Sequence, residues 1–202
     1  LGESNFKEVI GGSIRSWFES MSGFTTTGAT VIDGDTSPNC QPVVPDCINA
    51  QSRSLLLWRS MTQWLGGMGI IMLGMLILSR YLGGGMSIAR AELTGPALSR
   101  LRPRLQETAK ILWSIYTIMT ITEMLLLRFL GGLSWFDSLN HALTTMSSGG
   151  YSTYDAGIMH FQSPSVEWII IFFMVATGIN FTLYHFIWLK EWFNVVTNNE
   201  LQ

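Results

Sequence analysis

The sequence predicts an all-α integral membrane protein built from repeated units of span, short helix, hydroxyl/glycine loop and span. Three observations predict it: a composition poor in charge, three long apolar runs, and an internal repeat. Of 202 residues, 48% are apolar and 13% charged, about half the charged share of an ordinary soluble domain. The net charge of −2 offers no bulk electrostatic case for a nucleic-acid partner.

The runs define the spans. Residues 55–78 carry one charge, Arg59, near their start. Residues 111–127 carry only Glu123, and the apolar stretch continues to Leu130. Residues 168–189 carry none, although His185 lies among them. A helix of about 20 apolar residues crosses a bilayer core. Orientation follows from Lys and Arg. The link between the first two runs holds Arg80, Arg90, Arg100, Arg102, Arg104 and Lys110. The link between the second and third holds Arg128 with Asp137, Asp155 and Glu167. The positive-inside rule puts the first link in the cytoplasm. TTTGAT (residues 25–30) and MSSGGYST (residues 146–153) then both open outside. Cys40 and Cys47 fall in the outer loop before the first run, where an oxidising compartment permits a disulfide. Two Cys without nearby His do not fill a zinc shell. The start, LGESNFKEVIGGSIR, lacks a start methionine and the basic-then-apolar layout of a signal peptide. An internal piece of a longer chain is expected.

The repeat appears when the chain is slid by 122 positions. SWFESMSGFTTTGATVID (residues 16–33) falls on SLNHALTTMSSGGYSTYD (residues 138–155) without a gap. Ser16 meets Ser138, Gly28 meets Gly150, and Asp33 meets Asp155; Thr25, Thr26 and Thr30 each meet a serine. An apolar run follows each copy. The helices ahead of the loops are too brief and polar to face lipid, with Glu19, Asn140 and His141 on them. Irregular backbone at membrane depth survives only when buried in protein or lining a water-filled path. Extended backbone after such a helix presents carbonyl oxygens that replace an ion's water shell. The preceding helix ends in partial negative charge, which favours a cation.

FESMSGFTTTGATV, WRSMTQWLGGMGIIML, GGMSIARAELTGP with PRLQETAK, and NHALTTMSSGGYST run over almost the whole chain. In these motifs the chain closely resembles the TrkH-type subunits of the Trk/Ktr/HKT superfamily of potassium transporters. The resemblance implies four span–pore-helix–span units around one potassium-channel-like pore. This chain would supply most of the first unit and all of the second, a partial ring. Carried over position by position, the first filter strand is Thr26, Thr27, Gly28 and Ala29, and the second is Ser148, Gly149, Gly150 and Tyr151. Residues 1–82 form the first unit without its leading span, with pore helix, filter and span 55–82. Residues 83–105 form a cytoplasmic linker. Residues 106–193 form the second unit, with span 106–130, pore helix 135–147, filter 148–151 and span 165–190, and residues 194–202 form a tail. Potassium is then the transported ligand, with no covalent cofactor. The implied partners are membrane lipid, the remaining units of the same polypeptide, a second copy in a homodimer, and a cytoplasmic nucleotide-binding regulatory subunit. The implied place is the bacterial inner membrane, multi-pass.

Other residues have plainer readings. The glycines of Trp64-Leu65-Gly66-Gly67-Met68-Gly69 suit close helix packing, with a gating hinge as the sharper alternative. Gly83-Gly84-Gly85 ends the first span. Arg100, Arg102 and Arg104 suit anionic headgroups. Glu123 is expected to pair with Arg128 or Arg59. The three His, at 141, 160 and 185, are scattered, and no nucleophile-and-base set or phosphate loop supports an enzyme. The rival to transport is a non-conducting membrane scaffold with the loops as buried turns.

Overall fold

The computed structural model describes residues 3–33, 40, 46–84 and 101–178. Among the described residues, five α-helices and one 3-10 turn follow in order: α1 (Glu3–Phe24), α2 (Arg53–Gly84), α3 (Leu101–Phe129), α4 (Trp135–Met146), the 3-10 turn Gly157–Phe161, and α5 (Pro164–Gly178). No strand occurs among the described residues. The segment Lys110–Phe129 of α3 is long and apolar enough to cross a membrane, with mean hydropathy 1.4, and α5 is a shorter apolar helix. His185, Arg90, Arg100, Gly85, the tail 194–202 and the last part of the third run lie outside the described residues.

Each helix boundary has a local cause. Ser52 precedes α2, and its Oγ accepts from Leu55 N–H at 3.3 Å. Pro103 sits in the first turn of α3, where its missing N–H has no intrahelical partner to lose. Ser134 caps α4, accepting from Asp137 N–H at 3.1 Å while its hydroxyl donates to Asp137 Oδ2 at 2.6 Å. Asp137 also complements the positive end of the α4 dipole.

The helices ahead of the two loops differ in length. The sequence predicts two brief helices; α4 has 12 residues but α1 has 22. Residues 3–12 contain no proline, and the Gly11-Gly12 pair only lowers helix propensity without stopping the helix. Their surroundings differ too. Helix α4 is held between α2, α3 and α5. Its polar residues Asn140, His141 and Thr144 are buried, and Ser60 of α2 donates to Asn140 Oδ1 at 2.7 Å. Helix α1 packs on α2 and leaves Val9, Ile14, Trp17 and Met21 exposed.

The main core lies where α2, α3, α4 and α5 meet, around Met68, Leu112, Tyr116, Met146 and Phe173. A second cluster, Leu127, Leu133, Val166 and Ile170, joins α3 to α5. Trp64 ties α2 to α3 through an edge-to-face contact with Trp113, centroids 5.5 Å apart, and a 3.0 Å bond from its indole N–H to Thr120 Oγ1. Small residues then seat the ends of α1 and α4. A Cβ on Gly66 would run into the carbonyl of Phe24, and one on Gly67 would lie 3.0 Å from Ser147 Cβ. One turn of α2 therefore receives the C-terminal ends of both helices, the close packing that small residues permit.

Candidate functional site

The two hydroxyl/glycine loops leave their helices along the same backbone path. Thr26 and Ser148 have φ of 55° and 54°, and Gly28 and Gly150 have φ of 75° and 76°. These pairs are the ones matched by the 122-residue shift. The hydrogen bonds repeat as well. Thr26 N–H donates to Gly23 O at 3.0 Å, and Ser148 N–H to Thr145 O at 2.9 Å. Thr27 N–H donates to Ser22 O, and Gly149 N–H to Thr144 O, both at 3.0 Å. Left-handed backbone at a threonine is uncommon for a β-branched residue, so the fold holds Thr26 there against its own preference. Glycine meets no such penalty at 28 and 150.

The loops touch. A Cβ on Gly28 would fall on the carbonyl oxygen of Gly149. The Tyr151 hydroxyl reaches back to the first unit, 3.1 Å from Glu19 O and 3.3 Å from Ala29 O. Among the described residues, no hydrogen bond ends on the carbonyl oxygens of Thr26, Thr27, Gly28, Ser148, Gly150 or Tyr151. Two of the eight oxygens expected in the strands are engaged. Ala29 O accepts from Ser22 Oγ at 2.6 Å, and Gly149 O accepts from Gln63 Nε2 at 3.0 Å.

Side chains behind the loops hold them. Arg59 pairs with Glu19 at 2.8 Å, and its guanidinium lies 4.1 Å from the centre of the Tyr151 ring. Glu19 also accepts from Thr30 Oγ1 at 2.8 Å and from Val31 N–H at 3.1 Å. In the second loop that part falls to Asp137, which accepts from Thr153 Oγ1 at 2.8 Å. Gln63 on α2 is fully buried, and its Oε1 accepts from Tyr151 N–H at 3.2 Å. Sequence reading passed over Gln63; the available signal was an amide in the middle of an apolar run.

The segments that follow the two loops meet. Cys40 and Cys47 are joined by a disulfide, with Cα atoms 5.2 Å apart. The Asp155 carboxylate accepts from Cys47 N–H at 2.7 Å and from Ile48 N–H at 2.9 Å. Glu123 departs from expectation. Arg59 is taken by Glu19, and Arg128 Nη1 donates instead to Leu133 O at 2.9 Å, with its guanidinium beside the Trp135 ring. Positions 123 and 128 stand about 140° apart around a helix, so they address different neighbours. The Glu123 carboxyl is buried toward Thr145 of α4, without a well-formed hydrogen bond among the described residues.

A family described as "TrkH: Cation transport protein" matches residues 4–196. The chain belongs to the TrkH family. It is 42% identical over 172 residues to the Trk system potassium uptake protein TrkH of Halomonas elongata, covering 85% of this chain and 33% of that one. It is 41% identical over 170 residues to the protein of that name from Escherichia coli K12, covering 84% and 32%. The Trk system potassium uptake protein TrkG of Escherichia coli K12 is 34% identical over 175 residues, covering 86% and 33%. The crystal structure of the potassium transporter TrkH from Vibrio parahaemolyticus superposes with a TM-score of 0.62 at 36% identity, covering 85% of this chain and 30% of that one. The chain thus spans about a third of the length of the relatives it matches. TrkH proteins are membrane transporters and not enzymes, and the helical fold described above accords with an all-α membrane protein.

Proposed function

We propose that this TrkH-family chain contributes two strands of a carbonyl-lined selectivity filter to a channel-like potassium-uptake protein. The observation that carries the reading is the matched backbone: two loops 122 residues apart, in contact, each with positive φ at the same two positions. Helix ends that converge on one turn of α2 direct their partial negative charge toward the loops, which favours a cation there. The free carbonyls of Thr26, Thr27 and Gly28, and of Ser148, Gly150 and Tyr151, are the oxygens this geometry offers to a dehydrating ion. Ala29 and Gly149 act as anchoring positions, since their oxygens already have donors. The relatives' names specify potassium uptake, and this chain takes potassium as cargo by that kinship. Two strands line one side of an axis. The remaining pore units of the full-length protein complete the ring, and the loops face the outside of the bacterial inner membrane. A homodimer and a cytoplasmic nucleotide-binding regulatory subunit belong to the same reading.

The test is Gly150→Ser in the full-length protein, reconstituted in liposomes. A Cβ at φ of 76° strains the backbone, so potassium-over-sodium preference is expected to fall. Unchanged ion preference with normal yield supports the scaffold instead.

A further inference from the structure

We infer that Gln63 is a positioning residue that aims the Gly150 carbonyl, and that it does so from the first unit's span onto the second unit's loop. The inference rests on the filter reading above and adds a residue to it.

The geometry is specific. The carboxamide of Gln63 grips one group from each of the two peptide planes that flank Gly150. Its Nε2 donates to Gly149 O at 3.0 Å, and its Oε1 accepts from Tyr151 N–H at 3.2 Å. All peptide bonds among the described residues are trans, so the N–H and C=O of one plane point in opposite directions. Drawing Tyr151 N–H toward Gln63 therefore turns Gly150 O away from it. Among the described residues no hydrogen bond ends on that oxygen, and nothing lies within 4 Å of a Cβ built on Gly150. The other plane is turned the reverse way, its oxygen drawn in and its N–H turned out.

Both ends of the carboxamide are used, so its orientation is determined by the loop. A side chain with only a donor or only an acceptor holds one plane and releases the other. Gln63 is wholly buried, so no solvent replaces a lost bond, and a buried unpaired amide group is costly. The first loop lies on the same amide: Gln63 Nε2 is 3.5 Å from a Cβ built on Gly28. One residue of α2 thereby sets the second loop and stands against the first. Loop spacing and the direction of one oxygen are coupled through it.

The experiment uses the full-length protein in liposomes, measuring potassium and sodium uptake at equal protein. Gln63→Met keeps the volume and removes both hydrogen bonds. The ratio of potassium to sodium uptake is expected to fall about tenfold, consistent with the loss of one to two buried hydrogen bonds. Ser60→Ala serves as the control, because it breaks the buried α2–α4 bond to Asn140 without touching the loops, and its ratio should stay at the parent value. If Gln63→Met does not accumulate, the ratio is read on Gln63→Leu, which also removes both hydrogen bonds and should show the same fall. An unchanged ratio in whichever variant is read, with Gly150→Ser altered, overturns the role of Gln63 and leaves the filter standing. Unchanged ratios in both Gln63 and Gly150 variants remove the filter reading and this inference together. A fall in the Gln63 variant alone also overturns it, because the effect would not pass through Gly150.

Discussion

Gly28 and Gly150 share a left-handed backbone, yet a side chain would meet different surroundings at each. At Gly28 it would strike the carbonyl of Gly149; at Gly150 it would enter open space. The same contrast runs through both loops. The first is held by a part-buried ion pair, Glu19 with buried Arg59, that also fastens Thr30 and Val31. The second is held by one neutral amide, which donates and accepts, and one carboxylate, Gln63 behind Gly150 and Asp137 beneath Thr153. Glu19 corresponds to His141 under the 122-residue shift, and Asp137 lies one helical turn before that position. Two copies of one backbone motif have thus kept their dihedral angles while changing the side chains that enforce them. Backbone geometry is the shared requirement, and a carboxylate from either turn of the preceding helix serves to hold the strand that follows.

The largest expected effect separates the two glycines. Gly28→Ala adds left-handed strain of about 1 kcal/mol to a backbone collision worth about 3 kcal/mol. Gly150→Ala adds the strain alone, about 1 kcal/mol. Thermal unfolding of the full-length variants in detergent should show Gly28→Ala well below Gly150→Ala. Equal losses would mean that the loops do not touch as described.

The second test compares the restraints. Arg59→Met leaves the part-buried Glu19 carboxylate without its cation, a loss of about 2 kcal/mol, between the values for exposed and buried pairs. Asp137→Asn keeps a polar group in place and costs about 1 kcal/mol. The same unfolding assay ranks them, and the reverse order would show that the second loop carries the tighter restraint.

The smallest test concerns the segments that follow the loops. The disulfide joins residues 7 apart, and closing so short a loop is worth about 2 kcal/mol. The segment after the second loop has no such bond; beyond Asp155, which accepts from Cys47 and Ile48 N–H, it is braced by Tyr154 stacked on His160, centroids 3.6 Å apart. Cys40→Ser should therefore speed proteolysis at residues 46–51 and leave residues 157–163 as resistant as before. Mass spectrometry that finds both thiols free in the oxidised protein would remove the difference.

Much of this was legible in the chain itself. The 122-residue shift placed Thr26 over Ser148 and Gly28 over Gly150, and those are the positions with positive φ. The glycines of the Trp64–Gly69 stretch read as packing positions, and two of them receive the ends of α1 and α4. Other features were not legible. The pairing expected for Glu123 failed because Arg59 faces α1 and Arg128 faces the turn after α3. The length of α1 was missed because residues 3–15, ahead of the stretch matched by the repeat, lie inside the same helix. Gln63 was missed because one amide in an apolar run gives no indication of what it will meet.

By itself, then, the sequence determined an all-α fold and which backbone positions need glycine or a small hydroxyl residue. Those properties depend on neighbours within a few residues, through hydropathy, capping and the steric cost of a Cβ. Tertiary structure decided which carbonyls stay free and which are claimed. The groups that claim Gly149 O and Tyr151 N–H come from 86 and 88 residues away. A hydrogen bond acts only over about 3 Å, so its partner is chosen by the packing of distant helices and leaves no period in the chain.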